Sequence, residues 1–357
     1  MLFIAVDSGI PRKDEEECEE IHTFLFSYFT FYAILKELLH NRVNHFFMKI
    51  LVTGGGGFQG SHLVESLLKK GHTVSVLNTY SDISNGNLSK VLDKINLIWG
   101  SVTDNEIVEK SVRGQDVVFH LAAHINVDES LQNPLVFVNA NIFGMYNILE
   151  AVRKHKCRLI LTSSCEVYGD GHDLKKEEKL SENSELKPNS PYAASKAAAD
   201  RFAYSYFKSF GTDVTIMRPF NLYGERQKNG TFGALIPILV AKAMRGEDLT
   251  VFGDGYAERD YTHVSDVIKA YHLVLNNKNL KGKTINFASG KNTSVKDIAD
   301  YIAKKFKVKV VHGPARPGEV ERFPADITFA KSLGYEPKVD IWKGIDGYIK
   351  WAKQNTK

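Results

Sequence analysis

The sequence predicts an α/β protein in which a doubly wound parallel sheet is covered by helices on both faces. Two observations support this. From Lys49 onward, short apolar strands alternate with amphipathic stretches, which is the pattern of parallel strands joined by helices. A glycine-rich loop at residues 54–60 also lies between the first strand and the first helix. The 357 residues are enough for one such domain and a smaller lobe.

The first 221 residues contain six predicted strands and three clear helices. Helices are predicted at residues 61–70, where apolar residues share one face, and within residues 134–155. A third helix begins at Ser190-Pro191, because serine caps helix N-termini and proline fits the first helical position. The polar residues 170–189 are expected to form a surface loop. Apolar runs of strand length occur at residues 50–52, 73–77, 96–99, 117–121, 159–162 and 214–217.

Beyond residue 221 the alternation is less regular. Residues 234–245 and 264–275 are predicted to be helical, and residues 249–252 and 284–287 to be extended. We assign residues 222–357 mainly to a smaller C-terminal lobe that binds the substrate, with the option that some of its strands rejoin the main sheet. The main domain then spans residues 48–221.

The glycine loop indicates a site for the pyrophosphate of a dinucleotide. Gly54, Gly57 and Gly60 have the spacing Gly-x-x-Gly-x-x-Gly between a strand and a helix. Glycine is needed where the backbone adopts a positive φ, approaches a phosphate closely or lets a helix pack tightly on its strand. Unpaired N–H groups and the dipole at the helix N-terminus then attract the anion. Residues 48–221 are therefore predicted to be a Rossmann-type NAD(P)-binding domain.

The end of the second strand bears on which dinucleotide binds. An acidic residue at this point would grip the ribose hydroxyls of NAD, whereas this chain has Asn78. Asparagine still hydrogen-bonds a hydroxyl, but it carries no charge. No arginine or lysine lies in residues 79–88 to pair with the 2′-phosphate of NADP. NAD is the favoured cofactor, and NADP stays open.

Composition argues against several functional classes. The net charge of +4 is far from the concentrated basic face of a nucleic-acid-binding protein, so no nucleic-acid partner is expected. The three cysteines, Cys18, Cys157 and Cys165, have neither metal-binding nor disulfide spacing. We therefore expect no metal site and a reducing, cytoplasmic compartment.

The first 47 residues differ from the rest of the chain. An acidic run at residues 14–17 precedes a mainly apolar stretch at residues 22–35, which is shorter than the ~20 residues that a membrane-spanning helix needs. We expect residues 1–47 to be a non-native or disordered extension ahead of a start at Met48, with a peripheral membrane or partner helix as the alternative. No integral membrane span is expected.

A tyrosine and a lysine four residues apart are the first candidate catalytic residues. Tyr192 and Lys196 lie on one face of the helix that begins at Ser190-Pro191. Positive charge near the phenol is expected to lower its pKa, so that Tyr192 accepts a hydroxyl proton while hydride leaves the same carbon. Ser164 follows the strand at residues 159–162 and would bring a hydroxyl to the same place.

With the glycine loop, these residues resemble the extended short-chain dehydrogenase/reductase family, and within it the nucleotide-sugar epimerases and dehydratases. The similarity runs from Met48 to about Lys350. Seven segments in the family's order carry it, namely Thr53-Gly-Gly-Gly-Gly-Phe-Gln-Gly60, Phe119-His-Leu-Ala-Ala123, Ser163-Ser-Cys-Glu-Val-Tyr-Gly169, Tyr192-Ala-Ala-Ser-Lys196, Arg218-Pro-Phe-Asn-Leu-Tyr-Gly224, Gly253-Asp-Gly255 with Arg259-Asp260-Tyr261, and Arg316-Pro-Gly318.

The resemblance implies a role for each matching position. Tyr192 is implied to be the base for the sugar 4-hydroxyl, Lys196 its activator and Ser164 a hydrogen-bond partner of the reacting oxygen. The substrate diphosphate is implied to lie at Asn221, Arg259 and Arg316, and arginine suits phosphate because its planar donors bind it bidentately.

The resemblance also implies the lining of the cofactor site. Two positions depart from the family: Ser101 stands where an aspartate usually binds the adenine amino group, and Gln59 stands where an aliphatic residue is usual. Val102 is implied to face the adenine. The full set is Gly54, Gly57, Phe58, Gln59, Gly60, Asn78, Ser101, Val102, Leu121, Ala122, Ala123, Tyr192, Lys196 and Pro219.

The resemblance implies oxidation of a nucleotide-diphosphate sugar at C4 as the first step, with the hydride passed to the cofactor. Epimerases then return the hydride to the other face of the ketone. In 4,6-dehydratases a carboxylate removes the C5 proton and water leaves from C6. Glu166 matches the glutamate of dehydratases and sugar-acid decarboxylases. Cys165 stands where many dehydratases have an aspartate acid and others have serine.

The favoured function is an NAD-dependent nucleotide-sugar 4,6-dehydratase, which is a lyase. The alternatives are a 4-epimerase (an isomerase) similar to UDP-glucose 4-epimerase, a UDP-sugar-acid decarboxylase and a non-catalytic dinucleotide-binding protein. The presence of Tyr192, Lys196 and Ser164 argues against the last of these. Because family members commonly dimerise through a two-helix face, the resemblance also implies a homodimer.

Overall fold

The structure is a computed structural model, and it describes residues 47–79, 86–170, 174, 178–228, 233–315 and 322–355. The predicted extension at residues 1–47 lies outside the described residues apart from Phe47, and Arg316 lies outside them as well. The described helices and strands all belong to the unit that begins at Met48.

Strands alternate with helices along most of the described chain. The strands are β1 (Lys49–Thr53), β2 (Thr73–Asn78), β3 (Asn96–Trp99), β4 (Val117–His120), β5 (Arg158–Thr162), β6 (Val214–Pro219), β7 (Leu222–Tyr223), β8 (Leu249–Phe252), β9 (Glu258–Asp260), β10 (Thr262–His263), β11 (Thr284–Phe287), β12 (Asn292–Ser294), β13 (Val310–Gly313) and β14 (Arg322–Phe323). The helices are α1 (Phe58–Lys69), α2 (Asn105–Val112), α3 (Val127–Gln132), α4 (Pro134–Phe137), α5 (Gly144–His155), α6 (Pro191–Phe210), α7 (Leu235–Met244), α8 (Val264–Asn276), α9 (Val295–Phe306), α10 (Thr328–Ser332) and α11 (Ile341–Asn355).

Seven parallel strands form the main sheet, in the order β11-β6-β5-β4-β1-β2-β3. β1 lies next to the central strand β4, with Thr53 opposite Leu77 of β2 on one side and opposite His120 of β4 on the other. The chain therefore reverses its direction of winding between β1 and β4. In doubly wound sheets, ligands bind in the crevice at the carboxyl ends of the strands at such a point. The predicted fold class is confirmed.

Alternate residues of the central strands face two separate cores. Ile50 and Val52 of β1 pack in the core that contains Leu63 of α1, whereas Leu51 belongs to the core that contains Ile148 of α5. The sequence of a strand that is buried on both faces is a continuous run of apolar residues. This is why the sequence signal of these strands is strong.

The C-terminal part has a third core of its own. Helices α7, α9 and α11 surround β8, with Leu239, Ile298 and Ile345 fully or almost fully buried among them. β11 nevertheless pairs with β6, Thr284 lying opposite Ile216, and so completes the main sheet. The proposed division at residue 221 stays a prediction, since the second part contributes a strand to the first.

Several predicted elements differ from the observed ones. The first helix begins at Phe58, three residues before the predicted start, because the N-terminal turn of α1 includes part of the glycine loop. Residues 170–189 are not wholly a surface loop. Leu180 is buried, and its N–H donates to Pro324 O at 2.7 Å. That contact joins residues far apart in sequence, which local polarity does not reveal.

Among the described residues, one stretch has the length and mean hydropathy of a membrane-spanning helix. It is Pro134–His155, with 22 residues and a mean hydropathy of 1.4. Half of its most apolar window is buried inside the protein. The stretch comprises α4, a π-helical turn at Val138–Phe143 and α5. Its buried side covers the main sheet through Met145 and Ile148.

Candidate active site

The glycine loop forms a cradle at the carboxyl end of β1. Gly54 has a φ of +69°, and a Cβ at Gly60 would lie 2.2 Å from Gly54 O, so neither position accepts another residue without displacing the backbone. Within the described backbone, the first N–H of α1 that donates to the loop is that of Ser61, which donates to Gly57 O at 3.0 Å. The preceding N–H groups of α1 lack intrahelical partners. These features suit the pyrophosphate of a dinucleotide.

Asn78 reaches the same loop from the end of β2. Its Oδ1 accepts the N–H of Gly56 at 2.8 Å, and Asn87 Nδ2 donates to Gly56 O at 3.0 Å. Asn78 therefore braces the loop from the position where an acid would bind the ribose. A carboxylate would make the same contact, but it would also bring a negative charge beside the pyrophosphate.

The end of β4 is fixed to the end of β1 by a buried hydroxyl. Thr53 Oγ1 lies 2.8 Å from His120 Nδ1 and accepts the N–H groups of Leu121 and Ala122, both at 3.2 Å. Burial, and secondly the charge of Lys196, lowers the pKa of His120 to about 3. The imidazole is thus neutral, and the half-buried residues 121–123 border the crevice.

The predicted adenine-side residues lie beyond β3. The carbonyl of Val102 accepts a hydrogen bond from Asn147 Nδ2 of α5 at 3.0 Å, and Val102 packs on Gly144. Ser101 Oγ lies 2.8 Å from Thr103 Oγ1 and accepts the N–H of Thr103. Ser101 is thus held within its own turn. Pro219 is buried at the end of β6 on the opposite side of the sheet centre.

The three catalytic candidates Ser164, Glu166 and Tyr192 meet at the carboxyl end of β5. Ser164 is the N-cap of a 3-10 turn at Cys165–Tyr168, where its Oγ accepts the N–H of Glu166 at 3.2 Å. The Ser164 hydroxyl also lies near the Tyr192 phenol and acts to lower its pKa. Ser164 and Tyr192 are both less than a tenth exposed. A sugar hydroxyl could be held between these two groups.

Lys196 lies one turn further along α6 and contacts the same strand end. Its Nζ donates to Thr162 O at 2.6 Å. Burial lowers the pKa of Lys196 to about 8, against the opposing attraction of Asp200. The ammonium is thus only weakly favoured over the neutral amine at neutral pH.

One expectation about the pair is wrong in this structure. The pKa of Tyr192 is raised well above its usual value, because desolvation outweighs the opposing effect of the Ser164 hydroxyl, and the nearby Glu166 carboxylate acts in the same direction as burial. Lys196 does not lower it, since its ammonium is directed to Thr162 O. The sequence places the two side chains on one face but does not reveal how deeply both are buried.

Glu166 and Arg259 lie close enough to interact at the substrate side of the crevice. Burial raises the pKa of Glu166, and the positive charge of Arg259 opposes that rise. The Arg259 guanidinium stacks 5.6 Å from the Phe323 ring and donates to Glu258 O. A carboxyl with a raised pKa takes up a proton more readily at neutral pH than an exposed one.

Asn221 has a support that was not expected from the sequence, the residue Asp260 next to Arg259. The Asp260 carboxylate accepts the N–H and Oγ–H of Ser289 at 2.7 and 2.6 Å, and Asn221 Nδ2 donates to Asp260 O at 3.3 Å. Burial raises the pKa of Asp260 to about 6, against the hydrogen bonds that its carboxylate accepts from Ser289. The only sequence signal was its place in the Arg-Asp-Tyr segment.

Two further buried groups support the catalytic helix. Asn141 Nδ2 donates to Ser195 Oγ at 2.8 Å, next to Lys196 in α6. Asp200 receives two hydrogen bonds from Arg218, both at 2.9 Å, with both side chains at most 1 % exposed. Asn141 gave no sequence signal beyond a polar residue in an apolar helix.

The described residues contain no cluster of three His, Cys, Asp or Glu side chains that could hold a metal ion. Cys165 does not contribute an acid. It is a free, buried thiol whose pKa is raised well above its usual value by burial and by the charge of Glu166.

Comparison with known proteins agrees with this geometry. The model of the NAD dependent epimerase/dehydratase family matches residues 50–288. The chain belongs to this family. It is 35% identical to a putative UDP-glucose 4-epimerase of Methanocaldococcus jannaschii, over 86% of this chain and 99% of the relative. A UDP-N-acetyl-alpha-D-glucosaminuronate decarboxylase of Bacillus cytotoxicus is 32% identical over 86% of this chain and 98% of its own.

A solved member of the epimerase/dehydratase family shares the fold. The dTDP-glucose 4,6-dehydratase of Streptomyces venezuelae, solved with NAD bound, superposes with a TM-score of 0.79 at 30% identity, covering 86% of this chain and 98% of that one. The expected family and the NAD assignment are confirmed. The residues that fit NAD here are those of the glycine cradle, Asn78 and residues 121–123. Because its relatives include epimerases, decarboxylases and dehydratases, membership leaves the reaction undecided.

Proposed function

We propose that this protein is an NAD-dependent nucleotide-sugar 4,6-dehydratase. The observation that carries the proposal is Glu166, a carboxyl with a raised pKa beside Ser164 and close to Arg259. An uncompensated carboxylate is costly in such a place, and perturbed carboxyls in a crevice are candidates for acid–base catalysis.

The proposed reaction begins at the sugar C4. Tyr192, in the deprotonated form that burial disfavours in this structure, removes the 4-hydroxyl proton, and the neighbouring Ser164 hydroxyl holds the oxygen as it becomes a carbonyl. When held at the glycine cradle and Asn78, NAD would supply the acceptor for the C4 hydride and, later, its donor. For Lys196 to favour the Tyr192 anion, its ammonium has to leave Thr162 O, to which it donates at 2.6 Å in this structure.

Glu166 then acts on the ketone. The C5–H bond becomes acidic beside the new carbonyl, and the Glu166 carboxylate takes that proton. The C6–O bond breaks, and the hydroxyl leaves as water after taking up a proton. Cys165 holds its own proton too tightly to supply it, whereas the newly protonated Glu166 carries one. The resulting C5–C6 double bond would then regain the hydride at C6 and take up a solvent proton at C5. The raised pKa of Glu166 suits both the removal of the C5 proton and the donation of a proton to the departing hydroxyl.

The substrate class follows from the residues around the crevice. We propose a nucleotide-diphosphate sugar, with Arg259 and Asn221 on the diphosphate. The Arg259 guanidinium is held by the Phe323 ring and by Glu258 O. Arg316, the third proposed residue, lies outside the described residues.

The decisive experiment is product analysis with UDP-, GDP- and dTDP-sugars in D2O. A 4-keto-6-deoxy product that absorbs in alkali and carries deuterium at C5 supports dehydration. Glu166→Gln should lose this product by at least about a hundredfold, whereas Glu258→Gln, which removes a partly exposed carboxylate that lies 3.8 Å from Arg322, should keep it. Recovery of a C4 epimer with no water loss would make the protein an epimerase instead, and release of CO2 from a sugar acid would make it a decarboxylase.

A homodimer is the proposed assembly. α5 and α6 contact each other, with Arg153 stacked 5.1 Å from the Phe210 ring. Together with the preceding π-helical turn, these two helices expose large apolar side chains, each 44–57 % accessible: Phe143, Tyr146, Phe202 and Phe210. Several exposed large apolar side chains on two packed helices are typical of a protein–protein contact. A cytoplasmic location remains part of the proposal, in keeping with the free thiols of Cys157 and Cys165.

A further inference from the structure

Gln59 is the residue of the glycine loop that departs most from the expected pattern, and it is not isolated. Its Oε1 accepts a hydrogen bond from the Tyr271 phenol at 2.9 Å. Tyr271 lies in α8, is 0 % exposed, and packs edge-to-face on Phe119 of β4, with ring centroids 5.7 Å apart. A buried phenol needs a hydrogen-bond partner, and Gln59 provides one from the loop.

The same phenol also makes a hydrogen bond to Thr162, the last residue of β5. Thr162 Oγ1 lies 2.8 Å from Tyr271 Oη. Because the carboxamide oxygen of Gln59 only accepts, the phenol donates to Gln59, and the Thr162 hydroxyl donates to the phenol. Thr162 is the residue whose carbonyl accepts the hydrogen bond of Lys196.

A continuous chain of hydrogen bonds therefore joins two parts of the site that are remote in sequence. One end, Gln59, is the second residue of α1, where unpaired N–H groups face the pyrophosphate position. The other end, Thr162, closes β5 and holds Lys196. An aliphatic residue at position 59 could not make the link.

We infer that Gln59, acting with Tyr271, is a positioning residue that holds the dinucleotide loop in register with the catalytic end of β5 and thereby strengthens NAD binding. The inference rests on the NAD assignment of the site. It does not depend on whether the sugar is dehydrated or epimerised, so its test is separate from that of the proposed reaction.

The chain offers a matched control in the same pair of helices. Ser66 Oγ of α1 lies 2.7 Å from Nε2 of His272, the residue after Tyr271 in α8. Ser66 is seven residues after Gln59, so it lies on the same helix face about 10 Å further from the loop. Ser66→Ala removes an α1–α8 hydrogen bond of the same kind without touching the loop or β5.

The experiment measures the dissociation constant for NAD of the full chain by isothermal titration. Gln59→Met and Tyr271→Phe should each weaken NAD binding about threefold to tenfold, the range for one neutral hydrogen bond. Their double variant should be no weaker than the worse single one, because both remove the same link. Ser66→Ala should stay within about twofold of the wild type.

Steady-state kinetics separates positioning from a general loss of structure. In the Gln59 and Tyr271 variants, the increase in the KM for NAD should exceed the decrease in kcat at saturating NAD. Unchanged NAD affinity in both single variants, additive losses in the double variant, or an equal loss in Ser66→Ala would each overturn the inference. If Gln59→Met does not fold, Thr162→Val cuts the far end of the chain and should give the same weakening.

Discussion

Replacement of Lys196 by methionine should inactivate the enzyme without destabilising it at neutral pH. Burial lowers the pKa of Lys196 from 10.5 to about 8. The folded protein therefore holds the ammonium less favourably than the unfolded chain does. A difference of that size corresponds to about 3 kcal/mol of destabilisation at neutral pH.

Removing the buried ammonium stabilises the folded protein, but the loss of one hydrogen bond offsets part of this stabilisation. Methionine has a similar volume and no charge, but it leaves Thr162 O without the donor now 2.6 Å away, which costs about 1–3 kcal/mol in a buried place. Lys196→Met should thus range from equal stability to about 2 kcal/mol more stable than the wild type at neutral pH.

The pH dependence gives this reasoning its sharpest check. Between about 8 and 10.5 the unfolded chain binds more protons at Lys196 than the folded protein does. As pH rises through this window, the destabilisation caused by Lys196 disappears, so the free energy of unfolding of the wild type increases. Lys196→Met has no such group, and its free energy of unfolding does not increase in this way. The advantage of the variant should shrink and reverse by about pH 10.

Urea unfolding followed by circular dichroism, at about pH 7 and about pH 10, measures the difference. Lys208→Met, which removes an exposed ammonium from the same helix, serves as the control and should track the wild type at both values. A variant destabilised by more than about 2 kcal/mol at neutral pH, or a difference that does not change with pH, would refute the reasoning. Turnover should fall by at least about a hundredfold.

Two further predictions test the packing of α6 and the proposed dimer. Asp200→Asn leaves the Arg218 guanidinium, 1 % exposed, without its anion, so the free energy of unfolding should fall by about 3–5 kcal/mol; a loss below about 1 kcal/mol would show that the pair is not desolvated. Phe143→Glu places a charge on the exposed face of the helices and should convert dimers to monomers in sedimentation velocity, whereas Trp99→Glu in β3, a side chain of similar exposure, should not. Monomeric wild-type protein would contradict the proposed assembly.

The fold was predictable because its signals are local. The apolar runs of β1, β2, β4, β5 and β6 arise from burial on both faces, and that burial removes polar residues from the strand itself. Ser190 and Pro191 mark the start of α6, and its Ser190 hydroxyl accepts the N–H of Ala193. The short strands of the C-terminal part gave weaker signals because their partners are distant in sequence.

The candidate site was predictable only as a set of residues. The glycine spacing and the Tyr192–Lys196 pair identify the groups, because each depends on a helix turn or a loop of fixed length. The supports of those groups come from elsewhere. Tyr271 is 212 residues from Gln59, and Arg218 is 18 residues from Asp200 on the next strand.

The sequence by itself determined the parallel sheet, the dinucleotide loop and the family to which the chain belongs. These follow from periodicity, helix capping and glycine placement, which act over a few residues. Only the tertiary structure decided the protonation of the site and the partner of Gln59. The pKa of Tyr192 and of Lys196 depends on desolvation by several elements, and a hydrogen bond to Gln59 requires α8 to pack beside α1. Both depend on the order of strands in space.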